Sequence, residues 1–124
     1  MCPAIGYTGD FNFFESIKEV NDMQSRELTR RLKSDRPPTI IDVRSGMEFR
    51  SGHIPGALHA PSWRIILRMA GIPADKSTEL VVTCEHGPRA MLAKGLLGVI
   101  GYRNVTLLDG HMASWRQSEL PLEK

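Results

Sequence analysis

Leu80-Val81-Val82-Thr83-Cys84-Glu85-His86-Gly87-Pro88-Arg89-Ala90 is the stretch from which the rest of the chain can be organised. Its first four residues, aliphatic and β-branched, predict a buried strand that delivers Cys84. Pro88 or Arg89 opens a helix, because proline suits the first helical position. The helix runs through Met91, Leu92, Leu96, Val99 and Ile100, and Gly101 stands where a left-handed cap belongs. Cys84 therefore lies in a short loop between a strand end and a helix start. Backbone amides there have no intrahelical acceptor, and with the helix dipole they form a nest for an anion. Gly87 allows the backbone geometry, and Arg89 adds a permanent positive charge within reach. All three features favour thiolate, the nucleophilic form. The competing reading is a small buried hydrophobe, the usual condition of a cysteine at the end of an apolar strand. His86 is open to two readings, a base or a polar loop contact.

Outward from this stretch, strand and helix signals alternate. Ile17–Val20 is a candidate short strand. Ser25–Lys33 reads as a helix with Leu28 and Leu32 one turn apart, stopped before Asp35-Arg36-Pro37-Pro38. Thr39–Val43 is a β-branched strand. Ser45-Gly46-Met47-Glu48 fits a capping box, a role that accounts for Glu48 by itself, and the brief helix after it stops at Gly52. Ala57–Ala60 is a short strand. Ser62–Ala70 is a helix with Trp63, Ile66, Leu67 and Ala70 on one side and Gly71 after its end. Val105–Leu108 is a strand and His111–Arg116 a short helix. This alternation with short loops predicts an α/β fold with a mostly parallel sheet, whose reactive site lies beyond the carboxyl ends of the strands.

A chain of 124 residues holds one core. We expect an N-terminal extension over residues 1–14, punctuated by Pro3, Gly6 and Gly9, and one domain over residues 15–124. Lys and Arg number 16 against 14 Asp and Glu, a near balance that gives no basic stripe for nucleic acid. The local cluster Arg26, Arg30, Arg31, Lys33 and Arg36 reads as a solvated helix face. Aromatics at 6% leave little for a base-stacking platform. The two cysteines, Cys2 and Cys84, make neither a disulfide framework nor a metal-ligand spacing, and no cofactor is expected. Without a secretory pattern or an apolar run long enough for a bilayer, the expected location is cytoplasmic, away from membranes.

The motifs, in order, resemble one family. Asp42-Val43-Arg44, Glu48, Gly52-His53-Ile54-Pro55-Gly56-Ala57, the Cys84–Ala90 loop, and Gly101-Tyr102 with Val105, Leu108, Asp109-Gly110 and Trp115 are similar to the rhodanese domain over roughly residues 17–118. The resemblance implies a rhodanese-like fold, an about five-stranded parallel sheet with helices on both faces. It implies a thiosulfate sulfurtransferase type of enzyme, in which Cys84 takes sulfane sulfur from thiosulfate or a small persulfide and holds it as a persulfide. A thiol, cyanide or sulfur-carrier protein then removes the outer sulfur. Glu85, His86, Gly87, Pro88, Arg89 and Ala90 form the binding loop, whose amides stabilise the anionic persulfide. Asp42, Arg44 and His53 are supporting residues. Asp42 and Arg44 point to the same side of a strand end and read as an ordering ion pair rather than as substrate contacts. His53 reads as a hydrogen-bonded turn residue.

Two alternatives belong beside this reading. Relatives of the fold that act as phosphatases or arsenate reductases carry one more residue between cysteine and arginine, whereas four separate Cys84 from Arg89 here. A non-catalytic binding module would not need Cys84, Gly87 and Arg89 together. The chain departs from the family at Gly110-His111, where two glycines are common. If that turn lines the site, His111 alters access or meets the acceptor. Cys2 reads as a terminal thiol, with a second sulfur-relay role as the alternative.

Overall fold

The interior strands are rich in aliphatic residues because both of their faces are covered, as parallel sheets require. The computed structural model describes residues 22–67 and 71–124. Its elements are β1 (Asp22–Met23), α1 (Ser25–Leu32), β2 (Thr39–Asp42), α2 (Gly46–Ser51), β3 (Leu58–His59), α3 (Ser62–Ile66), β4 (Leu80–Thr83), α4 (Pro88–Ile100), β5 (Val105–Leu108) and α5 (His111–Gln117). The strands form one parallel sheet in the order β1-β5-β4-β2-β3. Register is tight at the centre, with Thr39 opposite Leu80 and Asp42 opposite Thr83.

Alternation along each strand divides the core into two layers. Ile41, Leu80, Val82, Cys84 and Val105 face one side, where Ile65 of α3 and Ala90, Ala93 and Leu97 of α4 pack. Ile40, Val81 and Leu108 face the other, against Leu28 of α1 and Met112 and Trp115 of α5. Helices thus cover both faces, as expected. The chain leaves β2 toward its outer neighbour β3 and leaves β4 toward β5 on the opposite side. The connections diverge at the carboxyl ends of these strands, the place where such sheets carry their chemistry.

Several sequence expectations change in detail. In α4, Met91, Leu92 and Val99 are exposed, and the small residues Ala90 and Ala93 with Leu97 face the core. Gly95 and Gly98 are buried in the same helix, so the low helix propensity of glycine is accepted where the helix is packed. In α3, Trp63 and Ile66 are exposed, as is Leu67 just after it, and Ile65 alone of the helix is buried. A helix of five residues offers the sheet only one turn, so one apolar residue suffices to seat it. The strand expected over Ala57–Ala60 narrows to Leu58–His59. Ile17–Val20, the extension over residues 1–14, Cys2 and Ala70 lie outside the described residues.

Candidate active site

Cys84 follows the last residue of β4, so its side chain continues the Leu80-Val82 face under the N-terminus of α4. It is fully buried. Gly87 is the N-cap of α4, with φ 133° and ψ −42°, a conformation that a side chain would strain. That turn brings the Gly87 amide back onto the cysteine, where it donates to Sγ at 2.9 Å. Pro88 occupies the first helical position and has no N–H to satisfy. The amides of Arg89 and Ala90 follow in the first turn, where no carbonyl of the helix can accept them. The Met91 amide is the first to find one, at Gly87 O, 2.9 Å. The sulfur thus sits at the positive end of a 13-residue helix, with one amide already on it.

The other side of the loop is anchored to the first turn of α5. Met112 and Ala113 donate their amides to Cys84 O at 3.0 Å and Glu85 O at 3.2 Å. The Cys84 amide donates to His111 Nδ1 at 3.3 Å. His111 is buried and adopts φ 54°, in the left-handed region that favours glycine. Its ring therefore supports the loop backbone. Where an effect on access or a contact with the acceptor was expected of His111, the ring is 7% exposed and accepts the Cys84 amide.

Charge around the loop is paired. Arg89, expected within reach of the nest, binds Glu48 with both arms, Nη1–Oε1 2.7 Å and Nη2–Oε2 3.1 Å. Fork-to-carboxylate geometry favours this over a lone charge beside sulfur. Glu48 also completes the capping box with Ser45, so it has two roles where the capping pattern accounted for one. The Arg89 guanidinium, with help from the Ser45 hydrogen bonds, holds the Glu48 carboxyl down at about 2, against the adverse effect of burial. Arg89 is raised in turn, first by Glu48 and to a smaller degree by the fields of Cys84 and Asp42. Glu85 pairs with Arg116 of α5 and lies 3.6 Å from Arg44 Nη1. Its charge is therefore compensated from two sides.

Asp42 and Arg44 are both buried and bind each other through three side-chain contacts of 3.0, 3.2 and 2.9 Å. Asp42 also accepts the Arg44 amide, and Arg44 donates to Gly52 O at 2.7 Å. The pair ties the end of β2 to the turn after α2. His53 stacks on Phe49 at 3.7 Å, bonds Phe49 O through Nδ1 and faces Glu123 through Nε2. It is part of the turn and is not among the groups on Cys84. His86 is exposed. Arg116 carried no sequence signal, since nothing in its spacing links it to Glu85 across 31 positions. Among the described residues no group of three or more His, Cys, Asp or Glu is arranged to hold a metal ion.

A family model for the rhodanese-like domain matches residues 24–118. A sulfurtransferase of Allochromatium vinosum is 34% identical over 83% of this chain and 94% of its own length. The thiosulfate sulfurtransferase GlpE of Haemophilus influenzae is 28% identical over 87% of this chain and 96% of its own. The solved structure of the human single-domain sulfurtransferase TSTD1 superposes with a TM-score of 0.69 at 28% identity, over 80% of this chain and 97% of that one. With its parallel sheet, its buried cysteine at the head of α4 and a matching model over most of its length, the chain belongs to the rhodanese-like domain family.

Proposed function

We propose that the chain is a sulfurtransferase that carries sulfane sulfur as a persulfide on Cys84. The observation that carries the reading is the Gly87 amide at 2.9 Å from Sγ, at the N-terminus of α4. With thiosulfate as donor, the Cys84 thiolate attacks the outer sulfur, the S–S bond of the donor breaks and sulfite leaves with the electron pair. The sum of charges is −3 on each side, since a thiolate and a dianion give a persulfide anion and sulfite dianion. Cyanide then takes the terminal sulfur as thiocyanate and returns the thiolate, a ping-pong cycle.

The site supports this chemistry chiefly through backbone. Arg89 is committed to Glu48, and Glu85 is compensated by Arg44 and Arg116. Anion stabilisation at sulfur then falls to preorganised amides, which cost no reorganisation when charge moves from one sulfur to the next. Because Cys84 is buried, the loop must yield for a donor to reach it. The short loop, with four residues between Cys84 and Arg89, favours sulfur transfer over a tetrahedral oxyanion substrate.

Intact-mass measurement after incubation with thiosulfate tests the proposal. The native protein is expected to gain one sulfur atom, lost again on cyanide treatment, and Cys84→Ser to gain none. If neither thiosulfate nor glutathione persulfide adds sulfur to reduced protein, sulfur transfer is excluded. The binding-module reading then stands, unless Cys84-dependent turnover of an aryl phosphate assigns oxyanion chemistry instead.

A further inference from the structure

His111 occupies a position that costs the chain something. Its φ of 54° is unfavourable for a residue with a side chain, and the helix it begins would start more easily from glycine. The preceding residue, Gly110, is also left-handed at φ 74°, so the two together make a sharp entry into α5. The compensation lies in where the entry puts the ring. Nδ1 accepts the Cys84 amide at 3.3 Å, which places the imidazole proton on Nε2 when the ring is neutral. The same ring packs beneath Gly87: a Cβ at that residue would stand 3.3 Å from Nε2 and 3.5 Å from Cδ2. One buried side chain thus binds the Cys84 amide and fills the space beside Gly87 where a Cβ would stand, the two ends of the turn that sets the Gly87 amide on Sγ.

We propose that His111 is a positioning residue for sulfur transfer, holding the Cys84–Gly87 backbone in the geometry that presents the Gly87 amide to the sulfur. The proposal rests on the sulfurtransferase reading for its kinetic consequence, while its structural content stands on the contacts alone. The ring acts through the loop and not on donor or acceptor. It therefore affects the rate of sulfur transfer within the bound complex and not the affinity for thiosulfate.

Two variants separate the acceptor atom from the strain. His111→Gly removes the ring and relieves the left-handed backbone. His111→Asn tolerates the same backbone and offers Oδ1 at the branch position of Nδ1. We expect His111→Gly to remain folded, as urea unfolding checks, and to form the Cys84 persulfide roughly tenfold more slowly at saturating thiosulfate, the value of one lost hydrogen bond. KM for thiosulfate is expected to stay unchanged, and His111→Asn to recover most of the rate. Hydrogen exchange of the Cys84 and Gly87 amides is expected to follow the same order, faster in His111→Gly and slowed again in His111→Asn. Native rates and native exchange in His111→Gly would overturn the proposal, and so would equal loss in both variants. If the native protein takes up no sulfur, the functional reading fails, and amide exchange still decides whether His111 holds the loop.

Discussion

Glu48 shows how far one side chain can exceed the motif that reveals it. Spacing from Ser45 identifies the capping box, but the bond to Arg89 crosses 41 positions and has no local signature. Its electrostatics make a prediction at this scale. The folded-state pKa of Glu48 is depressed to about 2 from an ordinary 4.5, so the ionised form stabilises the fold. That contribution is fully present above pH 4.5 and is lost as the pH falls through about 2. The Glu48 side chain is 34% exposed and that of Arg89 45%, so solvent screening limits the gain to about 1 kcal/mol. Glu48→Gln is therefore expected to lower unfolding free energy by about 1 kcal/mol or less at pH 7. Chemical denaturation repeated at descending pH should show the two proteins converging between pH 4.5 and about 2. A difference that persists undiminished across that range would contradict the assignment.

At the scale of elements, the site is a junction between the heads of two helices. The N-cap of α4 supplies the Gly87 amide to the sulfur, and the first turn of α5 binds the carbonyls of Cys84 and Glu85. The entry to α5 depends on Gly110. A Cβ there would lie 2.4 Å from Ser114 Cβ and 2.8 Å from its Oγ, at a φ of 74°. Ser114 Cβ is fixed to the helix backbone and cannot swing away. Gly110→Ala is thus expected to destabilise by more than about 1 kcal/mol. Because the displaced turn is the one that holds Cys84 and Glu85, its persulfide formation should also slow; thermal melts and the mass assay read the two effects. Unchanged melting would show that the turn relaxes freely. The strand–loop–helix logic of this junction was legible from Leu80 to Ala90, since it is local. The contribution of α5 was not, because His111 and Cys84 are 27 positions apart and meet only through the pairing of β4 with β5.

Across the whole molecule, the C-terminal residues close the fold beyond the segment that the family model matches. His53 and Glu123 exchange backbone hydrogen bonds of 2.9 and 2.7 Å, and Glu123 Oε1 accepts the Gly56 amide at 3.1 Å. Buried Trp115 donates its indole N–H to Pro121 O at 2.8 Å. Removal of residues 121–124 leaves that N–H and the turn amides without protein acceptors. We expect a loss of about 2–4 kcal/mol in urea unfolding, from several bonds near 1 kcal/mol each and one buried donor left unsatisfied. A shortened chain of native stability would mean that water replaces these bonds without cost.

Periodicity and turn chemistry determined the alternating α/β order, the strand that carries Cys84, the capping box at Ser45 and the helix that begins at Pro88, because each depends on residues a few positions apart. The matching order of motifs determined the family. Tertiary structure decided which apolar residues of α3 and α4 meet the sheet, since a helical stripe does not say which part of it a neighbour covers. It also decided the charges at the site. Arg89 turns to Glu48, Glu85 is shared by Arg44 and Arg116, and His111 reaches the Cys84 amide, all by contacts between segments remote in sequence. Such contacts depend on how the layers stack, and stacking is a property of the folded chain that no local spacing encodes.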